Sequence, residues 1–174
     1  MEHKELYNRY VKLLSEKIRE TKNINTIAEG YISEKNILNK KYYYLQKRIG
    51  GKLKSEYIKA NKLESIRRQL VKRTKLTAKI AELNDSLSKI ETASFILNED
   101  LYHRILLLKY SAEMDMLSAE NRKKVLNFTD AMTALEGLPV SKETHSSLEQ
   151  WSEGKQNFLD GYMQTLTKYN MNEV

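Results

Sequence analysis

The chain has 174 residues, of which 40% are apolar and 30% charged, and this length fits one domain or one elongated subunit. One proline and six glycines argue against a loop-rich fold, a β-sandwich and a glycine-rich nucleotide loop. The lack of cysteine excludes disulfides, thiol catalysis and Cys-based metal sites, while a formal net charge of +7 favours an acidic partner.

The first predicted element is a helix with a heptad seam. Seam residues recur at alternating spacings of four and three over residues 7–32, which is the pattern of a coiled coil. Asn25 lies in this seam, where it either sets the register or marks a weakening of the helix. A second helix is predicted from about residue 34 to residue 49. Gly50-Gly51 is interpreted as a turn between helices.

The longest predicted helix runs from Lys52 to about Phe95, a stretch that contains neither Gly nor Pro. Unbroken, it would be about 65 Å long at 1.5 Å per residue. A small globule cannot cover such a helix, so it needs a partner helix from this chain or from another. The predicted partner-helix interface, which extends into the next helix, consists of Leu63, Ile66, Leu70, Leu76, Ile80, Leu83, Leu87, Ile90, Leu101 and Ile105.

Helix signals continue in the C-terminal half. Asn98 is a predicted N-cap, because acidic residues follow it in the first turn. The helix that it starts would cover about 99–136, with Ser118 as a kink or a new start. The segment Gly137–Pro139 predicts a stop, and Ser141 can cap a last helix.

Charge is unevenly distributed along the chain. Residues 1–87 contain 21 Lys and Arg against 10 Asp and Glu, whereas the remainder contains 9 against 13. The excess is greatest over residues 40–79, where Tyr42, Tyr43 and Tyr44 also lie. These cations form a solvated helix face, meet an acidic protein surface, or follow a phosphate backbone with tyrosines stacking on bases. The predicted contacts are Arg48, Lys52, Lys59, Lys62, Arg68, Lys72, Lys75 and Lys79.

Residues that could carry out catalysis are not organised into a recognisable set. No two of the three histidines are spaced i, i+4, and Gly50-Gly51-Lys52 lacks the upstream Gly and following Ser or Thr of a phosphate loop. We therefore predict no enzyme activity, no catalytic residues, no cofactor and no metal. The charged N-terminus and the absence of a long apolar run predict an intracellular, cytoplasmic protein without a membrane span.

A resemblance to a known assembly subunit covers about residues 60–120. A long helix seam and an acidic turn precede Leu101-Tyr102-His103-Arg104, which opens a Leu-rich helix. This layout is similar to the middle of the small second subunit of the augmin (HAUS) complex. The resemblance implies a role in a coiled-coil assembly that recruits the γ-tubulin ring complex to spindle microtubules, with tubulin tails as one possible acidic partner.

Together these patterns predict an all-α protein, an elongated antiparallel helical bundle or coiled coil with one long central helix. A basic coiled-coil region, 1–97, and a helical region, 98–174, would form one structural unit. The predicted function is that of a non-enzymatic scaffold or adaptor, cytoskeletal or spindle-associated, that pairs with other coiled-coil subunits as a hetero-oligomer. The alternatives are a sequence-nonspecific nucleic-acid-binding helical accessory protein and a self-sufficient homodimeric structural coiled coil.

Overall fold

The structure is a computed structural model that describes residues 3–137 and 140–168. The predicted all-α bundle is wrong, because residues 31–58 form a three-stranded antiparallel sheet. The helix predicted over 34–49 is a pair of strands, and the long helix begins at Ala60. The elements are α1 His3–Asn25, β1 Tyr31–Ile37, β2 Lys40–Ile49, β3 Lys52–Ile58, α2 Ala60–Leu97, α3 Glu99–Asp115, α4 Ala119–Leu135, α5 Lys142–Ser152 and α6 Phe158–Lys168.

The chain forms two compact units. The sheet unit comprises residues 12–88, and the C-terminal unit comprises the described residues up to Val11 and from Lys89 onward. Helices α1 and α2 contribute residues to both units. Along the chain the sheet therefore lies between two helices, α1 and α2.

Both hairpins of the sheet turn through two residues with positive φ. Leu38 and Asn39 join β1 to β2 with φ of 48° and 61°, and Gly50 and Gly51 join β2 to β3 with φ of 56° and 78°. Positive φ at both central positions matches the twist of the flanking strands in tight hairpins. The turn predicted between two helices at Gly50-Gly51 is thus a turn between two strands.

The start of the sheet depends on a glycine. Gly30 has φ of 120°, and a Cβ atom built on it would lie 2.2 Å from the backbone oxygen of Gln46 in β2. Any side chain at this position would overlap the neighbouring strand, and the backbone conformation is one that L-residues avoid. Gly30 therefore lets β1 approach β2 closely enough to pair.

In the sheet unit α1 and α2 pack against each other in opposite directions. Lys79 of α2 forms an ion pair with Glu16 of α1 at 2.6 Å. Arg73, further towards the start of α2, donates to the backbone oxygen of Ile24 at 3.0 Å, near the end of α1. The Ile24 oxygen also accepts from the backbone N–H of Ile27 at 3.2 Å, so the arginine adds a second hydrogen bond at the C-terminal end of α1. A partner helix for this part of α2 thus comes from the same chain.

The C-terminal unit is organised around a single tryptophan. The Trp151 side chain is 1% exposed, and its Nε1 donates to Asp115 Oδ1 at 3.0 Å. The same carboxylate oxygen accepts from the backbone N–H of Phe158 at 2.8 Å. The rings of Trp151 and Phe158 meet edge to face at 5.4 Å. Asp115 therefore links the end of α3 to α5 and to the start of α6.

The predicted helix starts in this unit are confirmed. The side chains of Asn98 and Ser141 accept hydrogen bonds from backbone N–H groups in the first turns of α3 and α5. Ser118 caps α4 in the same way, so it marks a new helix rather than a kink. Helix α4 ends at Leu135, before the predicted stop, of which Pro139 lies outside the described residues.

Candidate functional site

The three strands present two chemically different faces. Side chains alternate between the faces along each strand, and cross-strand partners share a face. From the register, the outer face carries Tyr31, Ser33, Lys35, Ile37, Lys40, Tyr42, Tyr44, Gln46, Arg48, Leu53, Ser55 and Tyr57. The inner face carries Ile32, Glu34, Asn36, Lys41, Tyr43, Leu45, Lys47, Ile49, Lys52, Lys54, Glu56 and Ile58.

The inner face meets helix α2. The Arg67 guanidinium lies 5.8 Å from the centre of the Tyr43 ring, and Ile58 is only 3% exposed. Lys41 forms an ion pair with Glu34 at 2.7 Å, and this contact lowers the pKa of the Glu34 carboxyl below its ordinary value. The inner face thus combines packing against a helix with one lysine–glutamate ion pair.

Four tyrosines dominate the outer face. The ring of Tyr57 lies 6.2 Å from that of Tyr42 and 5.7 Å from that of Tyr44, tilted or edge to face in both pairs. Tyr31 is 54% exposed and Tyr57 is 52% exposed. Rings this large are usually covered in a folded domain or used for binding. The outer face therefore offers aromatic surface to a partner.

The outer face carries positive charge without any carboxylate. Lys35 lies over the ring of Tyr44, with its Nζ 5.0 Å from the ring centre. Lys40 and Arg48 are exposed at opposite ends of β2. Both acidic residues of the segment 31–58 belong to the inner face. Three cations on one acid-free surface produce a positive local potential that attracts an anionic ligand.

The eight predicted basic contacts do not form one continuous stripe. Among them, Arg48 is the residue that lies on the outer face. Lys79 is directed to α1 by its ion pair with Glu16, and Arg68 pairs with Glu64 on its own helix at 3.4 Å. The others are exposed on β3, on the connection after it and on α2: Lys52, Lys59, Lys62, Lys72 and Lys75.

The residues of the predicted partner-helix interface lie on the side of the helices that is covered within the chain. Those in the second half of α2 and in α3 are buried, namely Leu83, Leu87, Ile90, Leu101 and Ile105. Those nearer the start of α2 are half-buried, namely Leu63, Ile66, Leu70, Leu76 and Ile80. Pairing of these residues with another subunit stays a prediction.

Several outer-face residues were not among the predicted contacts, notably Tyr31, Lys35, Lys40 and Tyr57. Of these four, Lys40 is the one with a signal in its own strand, because every second residue of β2 from Lys40 to Arg48 is basic, aromatic or an amide. This period of two places these β2 residues on one face of a strand. If the segment is interpreted as a helix, the same residues point in several directions, and the shared outer face is not recognised.

The described residues contain neither a metal-binding cluster nor a membrane-spanning helix. Within residues 3–137 and 140–168, no group of three or more His, Asp or Glu side chains is arranged to hold a metal ion. None of the described helices combines the length and the apolar character needed to cross a membrane.

Comparison with known proteins gives one match. Residues 3–68 match the family model of a domain of unknown function (DUF6788). The matched part covers the whole of α1, the whole sheet and the first residues of α2, so the outer face lies entirely within it. Neither the curated proteins nor the solved structures contain a match to the chain.

Proposed function

We propose that this protein binds nucleic acid through the outer face of its sheet. The observation that carries the proposal is the combination, on one acid-free surface, of Lys35, Lys40 and Arg48 with four tyrosines. Lysine and arginine neutralise phosphates and release their counterions, which supplies most of the affinity in nonspecific binding. Exposed aromatic rings add contacts to bases.

The tyrosines favour nucleic acid over an acidic protein surface. The same cations would attract both ligands. An acidic protein patch, however, consists of carboxylates, which do not stack on the exposed rings beside the cations. Bases stack on tyrosine rings through their π-faces, so a nucleic acid would contact both the basic residues and the tyrosines. The exposed Lys72 and Lys75 of α2 remain available for additional, weaker phosphate contacts.

The proposal is tested with the full chain and a fluorescently labelled pool of mixed-sequence nucleic acids, by anisotropy at several salt concentrations. The variant combines Lys35→Glu, Lys40→Glu and Arg48→Glu. A second triple variant, Lys62→Glu, Lys72→Glu and Lys75→Glu, makes the same charge change on α2 and serves as the matched control.

We expect the logarithm of the wild-type binding constant to fall with the logarithm of salt concentration, with the three outer-face cations contributing about 2–3 to the slope. The outer-face variant should lose binding and this part of the slope, whereas the α2 variant should retain most of both. Salt-independent binding, or a larger loss in the α2 variant, would contradict the proposal.

A second candidate function is that of the scaffold or adaptor subunit, and the end of α2 favours it. Phe95, Ile96 and Leu97 follow each other there with exposures of 68%, 76% and 60%. Consecutive exposed apolar side chains are typical of a protein-binding site. Cytoskeletal or spindle partners are what the sequence resemblance implies.

The adaptor function predicts a stoichiometric protein partner in nuclease-treated purifications from native cells. Ile96→Lys should remove that partner, whereas Val71→Lys, at a position 58% exposed in the sheet unit, should keep it. A chain that purifies alone, or equal recovery of the partner with both variants, would argue against this function.

A further inference from the structure

We propose that the outer face takes single-stranded nucleic acid, by stacking unpaired bases on its tyrosines, in preference to a duplex. This inference rests on the proposed nucleic-acid function and names the form of the ligand. It follows from which chemical groups the face leaves accessible, and from where the cations lie relative to the rings.

The amide at the centre of the outer face, a group suited to reading base edges, is buried, whereas Arg48 at the end of β2 is exposed. Gln46 is the one amide on the outer face and lies in the middle of the central strand, where it is 8% exposed. Its Nε2 contacts Ser55 Oγ of β3 at 3.4 Å. Recognition of a base pair in the major groove depends on side chains that form bidentate hydrogen bonds with base edges. The centre of this face does not offer one.

Ring surface, in contrast, is accessible across the whole width of the sheet. Tyr31 lies on the edge strand β1 and Tyr57 on the edge strand β3, each more than half exposed. The planes of Tyr44 and Tyr57 meet at 64°, so neither ring is covered by parallel stacking on the other, and it is the Tyr44 ring, not that of Tyr57, over which Lys35 lies. Uncovered π-faces bind bases of any sequence, provided that the bases are not already stacked in a helix.

The cations lie where a backbone that runs along β2 would need them. Lys40 and Arg48 are eight residues apart on this strand, a distance of about 27 Å at 3.3–3.4 Å per residue. Tyr42 and Tyr44 project between them on the same face. A flexible strand can place phosphates at both ends and turn its bases to the rings. A duplex presents phosphates and base edges to this face but keeps its base planes inside its stack.

The test measures anisotropy with the full chain and labelled oligothymidine and oligouridine of about 12 nucleotides, within the range of known single-strand sites, against a duplex of the same length. The variants are Tyr57→Leu and, on the opposite edge strand, Tyr31→Leu, which remove the π-face but keep apolar bulk. Tyr57→Phe restores the ring. Tyr110→Leu is the matched control, because Tyr110 of α3 is likewise 54% exposed. Thermal melts verify that each variant is folded.

We expect at least one of the two single strands to bind tighter than the duplex. Each Leu variant should weaken that binding about 5- to 100-fold, the range for loss of one base–aromatic stack, whereas Tyr57→Phe and Tyr110→Leu should bind like the wild type. Equal or tighter binding of the duplex, or full affinity in folded Leu variants, would overturn the single-strand inference and leave the nucleic-acid function standing. If none of the three probes binds, the single-strand inference and the proposed nucleic-acid function are both wrong.

Discussion

The two faces of the sheet are built from the same three strands, yet they differ in how their charges are used. On the inner face Glu34 pairs with Lys41, and Tyr43 meets Arg67 of α2. On the outer face the cations have no carboxylate neighbour on the same face, and Tyr57 contacts other tyrosines. The inner face therefore sets carboxylates among its lysines and packs against a helix, whereas the outer face keeps exposed rings beside cations without a carboxylate.

The difference between the faces separates residues that stabilise the fold from residues that folding does not need. A side chain needed only for folding gains from being covered, whereas three like charges grouped on a surface oppose folding slightly through mutual repulsion. Such a grouping is retained more readily where a ligand compensates it. The comparison leads to three predictions, of which the first two concern both faces and the third concerns the inner face.

The largest expected effect is a loss of stability of the whole sheet, and so of both faces. Gly30→Ala places a methyl group 2.2 Å from the Gln46 backbone oxygen, at a φ of 120°. Backbone strain and steric overlap each cost about 1–3 kcal/mol, so we expect a loss of about 3–5 kcal/mol in the free energy of unfolding. Denaturant unfolding followed by circular dichroism measures it. A loss below 1 kcal/mol would mean that β1 is not held against β2 as described.

A sharper comparison uses neighbouring residues of β3 that point in opposite directions. Ile58→Ala removes a buried inner-face side chain and should cost about 2–4 kcal/mol of stability, with little change in the affinity of the folded protein for nucleic acid. Tyr57→Ala on the outer face should cost about 1 kcal/mol or less and weaken binding. Chemical denaturation and anisotropy on both variants measure the two quantities. If both variants lose affinity equally, the inner face does not serve stability alone, and the outer face is not the separate binding surface.

The smallest expected effect is a pH dependence confined to the inner face. The Lys41 contact holds the pKa of Glu34 below its ordinary value. Its contribution to stability is therefore complete above the ordinary pKa of glutamate, about 4.3, and disappears as pH falls through the lowered pKa of the folded state. Lys41→Met should reduce this acid-side decline in Tm. Identical pH profiles for Tm in the variant and the wild type would show that the exposed pair contributes nothing.

Much of the helical structure could be predicted from the sequence, and the sheet could not. The heptads of α2 and the caps at Asn98 and Ser141 are local signals that the structure retains. In β2 the run Tyr42–Leu45 places apolar residues on both faces of the strand, so the alternation that identifies a strand is masked. Lys, Leu, Gln and Arg around it favour a helix, and Gly50-Gly51 fits a turn between either kind of element.

The candidate site was only partly predictable for the same reason. The basic excess and the tyrosines are visible in the sequence, and Arg48 is the predicted contact that lies on the outer face. Which residues share a surface depends on the period of the element. A helix would place Arg48 and Lys52 on one face, whereas the sheet places Lys52 on the inner face and Arg48 with Lys40 on the outer face. Tyr31 and Tyr57 join the site only through cross-strand pairing, which is a tertiary property.

The burial of Trp151 against Asp115 has a practical consequence for optical studies of the protein. It is the sole tryptophan of the chain and belongs to the C-terminal unit, whereas five of the eleven tyrosines lie in the sheet. Excitation at the red edge of the absorption band selects the indole, so its emission follows the environment of one unit alone. Tyrosine signals report on both units, because the remaining tyrosines among the described residues belong to the C-terminal unit. Unfolding curves recorded at the two wavelengths would coincide only if the units unfold as one cooperative system, and the natural sequence already contains both reporters.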